Sequence, residues 1–267
     1  MARMTGGEVE SGQTPSPEER LFTWMQHFYR VLLIMYKPGP LLKTFPVEEE
    51  EEEMVKYLWS CDYGTQKIYK HNIDATLSVA EEYDAPESSP AGLAWDGSNL
   101  WSSDDVSLKI YKHNMDATLS VAETYDCPST WPLDLTWDGS NLWSSDGDSR
   151  KIYKHNMDGS LSVAEEYDSP DIRPSGLAWD GSNIWSLDFS ADEIYKHNMD
   201  GTLSVAETYN SPSTYPNSLT WDGSNLWSGN WTPEKIYKHN MDATLSVAET
   251  YDPPAGDPWG ITIQRSL

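Results

Sequence analysis

The chain has 267 residues and a formal net charge of -25, with 43 acidic residues against 18 lysines and arginines. A surface this acidic repels phosphate backbones, which argues against nucleic acid as a partner. Two cysteines are too few for a disulfide framework, and no stretch of sequence is long and apolar enough to span a bilayer.

The first 56 residues differ in composition from the rest of the chain. Residues 1–16 are polar and are predicted to be a disordered tail. Glutamates occupy positions where a secretory signal peptide would carry positive charge, so no signal peptide is recognised and the localisation stays unknown. Residues 38–56 are predicted to be a linker with a run of six glutamates.

Residues 17–37 between these segments are predicted to form an amphipathic helix. Ser16 and Pro17 suit its first turn, and Pro38 ends it. The apolar face needs a partner: the rest of the chain, a second copy or a membrane surface. The glutamate run opposes the membrane, and we favour a homo-oligomer. The candidate oligomerisation residues are Leu21, Trp24, Met25, Phe28, Leu32 and Met35.

Residues 57–267 consist of a 42-residue unit repeated five times. Leu-Trp-Ser or Ile-Trp-Ser begins at 58, 100, 142, 184 and 226, and Ile-Tyr-Lys-His begins at 68, 110, 152, 194 and 236. This size, with four short strands, is that of a β-propeller blade. In the second unit the predicted strands A, B, C and D are Gly92–Trp95, Asn99–Ser103, Lys109–His113 and Thr118–Tyr125.

The two ends of the repeat region predict a closed ring. The region begins with a strand B at Tyr57–Ser60 and ends with a strand A at Trp259–Ile263. The final strand can therefore complete the first blade and remove the free sheet edges. The predicted fold class is all-β: a five-bladed β-propeller of four-stranded blades, closed by a C-terminal strand A and preceded by one amphipathic helix. An open solenoid is the competing architecture.

The segment Gly92–Asp104, followed by Ile110–His113, resembles blades of NHL-repeat and lactonase-like propellers. The resemblance covers residues 57–267 and implies the fold rather than an activity. Such propellers usually have six blades, and lactonase-like ones hold a catalytic metal with acidic residues at the channel mouth. A count of five is similar to tachylectin-like sugar-binding propellers.

The five copies differ mainly in two of their loops. The A–B and C–D turns are nearly invariant, whereas the B–C and D–A loops vary. In an up-and-down blade the varying loops share one side of the ring, which we call the variable face. Its aromatic residues favour recognition of a glycan or a protein, although loop drift is an alternative. The candidate ligand-binding residues are Tyr63, Trp131, Arg173, Phe189, Tyr215, Trp231 and Trp259.

Four aspartates that end strand B are weak candidates for binding a cation such as Ca²⁺. They are Asp62, Asp104, Asp146 and Asp188. The alternative is that each accepts hydrogen bonds from its own loop. No cofactor is expected, and no catalytic residue is assigned, because near-identical blades do not supply unlike acid and base groups. Histidines that recur on strand C are expected to pack structurally.

The sequence thus favours a non-catalytic interaction module. It would present the variable face to a glycan or protein ligand, while the N-terminal helix assembles copies. A structural scaffold in a larger homo-assembly is one alternative. A metal-dependent, lactonase-like hydrolase is another.

Overall fold

The computed structural model describes residues 56–256 and 258–264, which form twenty β-strands in five antiparallel four-stranded sheets. The predicted tail, the amphipathic helix with Leu21 to Met35, and the predicted linker up to residue 55 lie outside these residues. No helix in the described part of the chain is long and apolar enough to cross a membrane.

Each sheet is one blade, numbered here in chain order. Blade 1 combines β20 with β1 to β3, and each later blade takes four consecutive strands. The strands are β1 (Tyr57–Asp62), β2 (Lys67–Asn72), β3 (Val79–Asp84), β4 (Pro90–Trp95), β5 (Leu100–Asp104), β6 (Lys109–His113), β7 (Val121–Asp126), β8 (Pro132–Trp137), β9 (Leu142–Asp146), β10 (Lys151–His155), β11 (Val163–Asp168), β12 (Pro174–Trp179), β13 (Ile184–Asp188), β14 (Glu193–His197), β15 (Val205–Asn210), β16 (Pro216–Trp221), β17 (Leu226–Asn230), β18 (Lys235–His239), β19 (Val247–Tyr251) and β20 (Pro258–Gln264).

The ring closes as the sequence predicts. Strand β20 pairs antiparallel with β1, so that Leu58 lies opposite Ile263 and Ser60 lies opposite Ile261. The C-terminal strand is therefore the inner strand of blade 1. This pairing confirms the five-bladed propeller and excludes the open solenoid.

The core lies between neighbouring blades and repeats with them. Strand B supplies a tryptophan that is at most 1% exposed in every blade. In blade 2, Trp101 stacks on Tyr125 of strand D with ring centroids 5.9 Å apart, and the Lys112 ammonium lies 5.3 Å from the Trp101 ring. Aromatic stacking and a cation above the ring add to the burial of this large apolar side chain.

The inner strands approach each other too closely for a side chain at one position. A Cβ atom on Gly92 would lie 2.5 Å from Cα of Asp134, and one on Gly260 would lie 2.7 Å from the Ala91 carbonyl oxygen. Both distances are shorter than a carbon atom tolerates. Glycine at this position in blades 1, 2 and 4 therefore allows the inner strands to converge on a narrow axis, whereas blades 3 and 5 carry Asp134 and Ser218 there.

The predicted start of strand D is wrong. Strand β7 begins at Val121 rather than Thr118, and Val121 is 41% exposed. The Asp116 carboxylate accepts the backbone N–H groups of Thr118 and Ser120, which forms a tight turn. Leu119 sits in this turn at a φ of 51° and points into the core. The apparent alternation of Leu119 and Val121 thus spans a turn and a strand.

Candidate functional site

Hydrogen bonds between loops show which loops share each of the two faces of the ring. Asn99 Nδ2 donates to the His113 carbonyl oxygen at 2.8 Å, which joins an A–B turn to a C–D turn. On the other face the backbone N–H of Phe189 donates to Arg173 O at 3.0 Å, which joins a B–C loop to a D–A loop. The loops that vary in sequence therefore lie together.

The invariance of the A–B turns has a structural cause. Asp96 Oδ1 accepts the N–H groups of Ser98 and Asn99, and Asp96 Oδ2 accepts Trp101 Nε1–H at 2.8 Å. Asp138 and Asp180 repeat these bonds. The constancy of this turn needs no ligand. Evidence for binding must come from the variable loops themselves.

The aspartates at the ends of strand B hold the variable loops in place. Asp146 Oδ1 accepts N–H groups of its own B–C loop, and Oδ2 accepts the Trp131 N–H at 2.9 Å. Asp188 binds its own loop in the same way and accepts the Arg173 N–H at 2.6 Å. Asp62 accepts both Thr65 N–H and Thr65 Oγ1–H. All are nearly fully buried.

These carboxylates do not converge on a common point for a metal. Each belongs to a different blade and is engaged by loop amides, as the bonds of Asp104 to Ser89 and Ser107 also show. Among the described residues no three or more His, Cys, Asp or Glu side chains are grouped so that they could hold a metal ion. Their visible role is to fix backbone.

Five of the seven predicted ligand-binding residues form one continuous cluster, which we call the aromatic arc. The Phe189 ring lies 5.1 Å from Tyr215 and 6.2 Å from Trp231. The Arg173 guanidinium lies 5.0 Å from the Trp131 ring and 5.7 Å from the Phe189 ring. The arc crosses blades 3 to 5 and consists of Trp131, Arg173, Phe189, Tyr215 and Trp231.

The other two predicted residues form a separate pair on blade 1. The rings of Tyr63 and Trp259 are 6.2 Å apart. Tyr63 is 47% exposed, Tyr215 is 46% exposed and Trp231 is 41% exposed. Large rings that stay this exposed are available to a ligand, in contrast to the tryptophans of the core.

Blade 2 interrupts the aromatic character of the variable face. At the positions that Phe189 and Arg173 occupy in blade 4, it carries Asp105 and Ser89, joined by a backbone hydrogen bond of 3.2 Å. Asp105 Oδ1 is buried without a hydrogen-bond partner. Burial raises the pKa of Asp105, and the neighbouring Asp104 carboxylate acts in the same direction. The variable face thus has an aromatic part and an acidic part.

A carboxylate that was not predicted from the sequence lies at the centre of the ring. Asp134 is fully buried among the inner strands. Its Oδ1 accepts the Leu135 N–H at 2.9 Å, and its Oδ2 accepts the N–H groups of Leu177 at 2.9 Å and Leu219 at 3.3 Å. Burial raises the pKa of Asp134 well above its ordinary value, while these amide donors, with that of Leu93, act to lower it.

The signal for Asp134 was present in the repeats. The corresponding residues of the other inner strands are Gly92, Gly176, Ser218 and Gly260. A single acidic residue at a position otherwise held by small residues indicates that one side chain accepts hydrogen bonds from several inner strands.

A second feature that was not predicted lies on the face that carries the nearly invariant A–B and C–D turns, which we call the invariant face. Each of four inner strands ends in a half-buried tryptophan, and these four residues line a cavity of about 360 Å³. They are Trp95, Trp137, Trp179 and Trp221. The cavity was not predicted, although the sequence places a tryptophan at the end of strand A in four of the five copies.

Comparison with solved structures supports the fold. The chain is similar to a chain of the nidogen/laminin complex, with 18% identity over 79% of this chain and 99% of that chain and a TM-score of 0.58. It is also similar to glutaminyl cyclase of Myxococcus xanthus, with 11% identity, coverage of 74% and 77% and a TM-score of 0.55.

A streptogramin B lyase is similar at 20% identity, with coverage of 84% and 80% and a TM-score of 0.48. No protein-family model and no curated protein matches the chain. The five four-stranded blades and the similarity to the nidogen/laminin chain confirm the resemblance to NHL-repeat and lactonase-like propellers at the level of the propeller fold, and likeness at such identities shows no more than that.

Proposed function

We propose that this chain is a non-catalytic interaction module whose aromatic arc binds a protein ligand. The observation that carries this proposal is the continuous, partly exposed cluster of Phe189, Tyr215 and Trp231, with Arg173 against it. Tryptophan, tyrosine and arginine are the residues that most often dominate the energy of protein interfaces.

The arc is organised before any ligand arrives. The Arg173 guanidinium is held against two rings, and its backbone N–H is bonded to Asp188. Trp131 is fixed in the same way by Asp146. Side chains that are already ordered lose less conformational entropy on binding, so more of the contact energy appears as affinity.

Charge favours a basic partner. The chain carries a net charge of -25. A field of this sign increases the rate of encounter with a positively charged surface. The similar chain in the nidogen/laminin complex belongs to a protein assembly, which agrees with this proposal. A glycan that stacks on the same rings is the second candidate.

The arc can be tested by comparing matched exposed residues. We would select ligands of the full-length chain from a displayed protein library and from a glycan array. Affinities would then be measured for the double variant Tyr215→Ala/Trp231→Ala. Loss of two interface anchors should weaken binding at least tenfold. Met241→Ala is the control, because Met241 is similarly exposed, at 42%, on a C–D turn of the opposite face.

The affinities of the three proteins distinguish a protein ligand, a glycan ligand and the absence of an arc-based site. A protein ligand that depends on the arc supports the proposal, whereas a glycan that depends on it replaces protein with carbohydrate. Ligands that bind the double variant as well as the wild type contradict an arc-based module. Equal unfolding midpoints for all three proteins would show that the variants fold.

We further propose that the predicted helix, through Leu21, Trp24, Met25, Phe28, Leu32 and Met35, assembles copies of the chain. This proposal rests on sequence alone. Light scattering of the full-length chain tests it, because charged substitutions on that face should lower the native mass. If substitutions on the variable face lowered the mass instead, the scaffold alternative would be favoured.

A further inference from the structure

The cavity on the invariant face lies at the mouth of the central channel, and every blade contributes the last residue of its inner strand, or a residue near that end, to the wall. Trp95, Trp137, Trp179 and Trp221 end four inner strands, and Ile263 takes the corresponding place in β20. A volume of about 360 Å³ falls at the small end of the range for ligand pockets.

The Asp96 carboxylate and the Thr220 hydroxyl at this cavity are already hydrogen-bonded within the protein, whereas the buried Trp95 Nε1–H has no hydrogen-bond partner. Both oxygens of Asp96 accept hydrogen bonds from its turn and from Trp101. Thr220 Oγ1 accepts the Ile263 N–H at 3.2 Å. A ligand in this place would therefore meet mainly aromatic surface.

The rim of the cavity carries negative charge. Its A–B turns contain Asp96, Asp138, Asp180 and Asp222, and none of the ion pairs of the described residues includes any of these four carboxylates. One ammonium group already lies at this rim, where Lys56 Nζ donates to the Asp222 carbonyl oxygen at 3.0 Å. The surroundings of the cavity thus favour a cation.

We propose that this cavity binds an organic ammonium cation whose nitrogen is surrounded by alkyl groups, as in a quaternary ammonium. Tryptophan attracts such a cation more strongly than the other aromatic side chains do. The methyl groups fill apolar space, and the aspartate rim supplies charge of the opposite sign without direct hydrogen bonds. This site is independent of the aromatic arc, because it lies on the opposite face.

Other ligand classes fit the cavity less well. A sugar needs several free hydrogen-bonding groups that converge on its hydroxyls, and the Asp96 and Thr220 oxygens are already bonded. A bare metal ion needs clustered oxygen or nitrogen ligands, and the described residues contain no such group of three. Inorganic or organic anions would meet the negative rim.

The test uses choline as the probe and its neutral carbon isostere, in which a carbon atom replaces the nitrogen. Titration calorimetry on the full-length chain should show binding of choline and at least about tenfold weaker binding of the isostere. Trp137→Leu and Trp179→Leu keep an apolar side chain but remove the indole, and each should weaken choline binding roughly tenfold. Trp231→Leu, in the aromatic arc of the opposite face, shows whether choline binds there instead. Val106→Ala is the control, because Val106 is 65% exposed on the variable face outside the arc, and it should leave the affinity unchanged.

Three results would overturn the inference. Equal affinity for choline and its isostere would show an apolar pocket without selectivity for charge. Absence of heat for choline, together with unshifted indole N–H resonances, would show that the cavity takes no ammonium ligand. Weaker binding in Trp231→Leu but not in Trp137→Leu would move the site to the variable face. Thermal unfolding of each variant checks that the propeller is intact.

Discussion

Aspartate has several distinct roles in this chain, and its position in the blade decides which one it takes. Asp96 shapes an A–B turn, Asp116 shapes a C–D turn, and Asp188 ties two loops together. The sequence could suggest these local roles, because an Asp side chain in a turn typically accepts the backbone N–H two residues on, as all three do. It could not show the role of Asp134, whose bonds to Leu177 and Leu219 join strands that are distant in sequence.

We expect Asp134→Ala to destabilise the ring more than any surface substitution would. The change leaves several inward-pointing amides without an acceptor at a fully buried site. Each buried amide that is left without an acceptor costs about 1–3 kcal/mol. Urea unfolding of the wild type and the variant measures the difference.

Ser218→Gly is the matched control for Asp134→Ala. Ser218 occupies the corresponding position in blade 5, and three other blades have glycine there. Its substitution should cost much less than that of Asp134. Similar losses in both variants would mean that Asp134 only fills space.

At the scale of single strands, the prediction was accurate wherever the residue pattern and the tertiary position agreed. Strand C of blade 2 has its predicted bounds, Lys109–His113, and strand B is displaced by a single residue at each end. Strand D failed because it is an outer edge: Val121 faces solvent although it is apolar, and the Leu119 side chain reaches the core from a turn. An alternation of apolar residues cannot distinguish these two cases.

The histidine of strand C binds the same two partners in every blade. In blade 2, His113 Nδ1 lies 3.0 Å from the Leu119 carbonyl oxygen, and Nε2 lies 2.8 Å from Ser102 Oγ. A carbonyl oxygen only accepts, so Nδ1 carries the proton and Nε2 accepts the serine hydroxyl. Burial lowers the pKa of all five histidines. Neutral histidine is therefore part of the folded blade.

This arrangement predicts a steep loss of stability in mild acid. The unfolded chain binds protons at its histidines near an ordinary pKa of about 6.5, whereas the folded chain resists protonation to lower pH. The stabilisation is complete above that value and is lost as pH falls towards the depressed pKa values. Each histidine contributes a slope of up to about 1.4 kcal/mol per pH unit, or about 7 for all five.

Urea unfolding between pH 7 and pH 5 measures this slope. His197→Gln removes one titrating group, so proton uptake on unfolding should fall by about one. Lys196→Gln is a neighbouring control at which no change in uptake is expected in this pH range. A flat stability profile between pH 7 and pH 5 would contradict the assignment of neutral, buried histidines.

At the scale of the whole ring, the sequence predicted that the ring closes, but not which residues of separate blades come together. The positions of the first and last strands within the repeat already required β20 to join β1, and the pairing of Leu58 with Ile263 confirms it. The aromatic arc and the tryptophan cavity could not be predicted as units, because their residues come from separate blades. Only the radius and the rotation of the ring bring Trp131, Arg173 and Phe189 together.

The same closure should be the weakest seam of the molecule, since β20 is joined to β1 only by non-covalent contacts. Cys61 of β1 is fully buried, close to Gly260 of β20, and burial raises the pKa of its thiol. Its labelling by a thiol reagent, in a Cys127→Ser background, therefore reports opening of the contact between β20 and β1.

Ile261→Ala removes buried contacts of β20 worth about 2–5 kcal/mol and should speed labelling of Cys61 at least tenfold. Leu219→Ala makes a similar truncation at the corresponding position of β16 and should speed labelling less if β20 opens locally. Equal acceleration by both variants would show instead that Cys61 is exposed only when the entire ring unfolds.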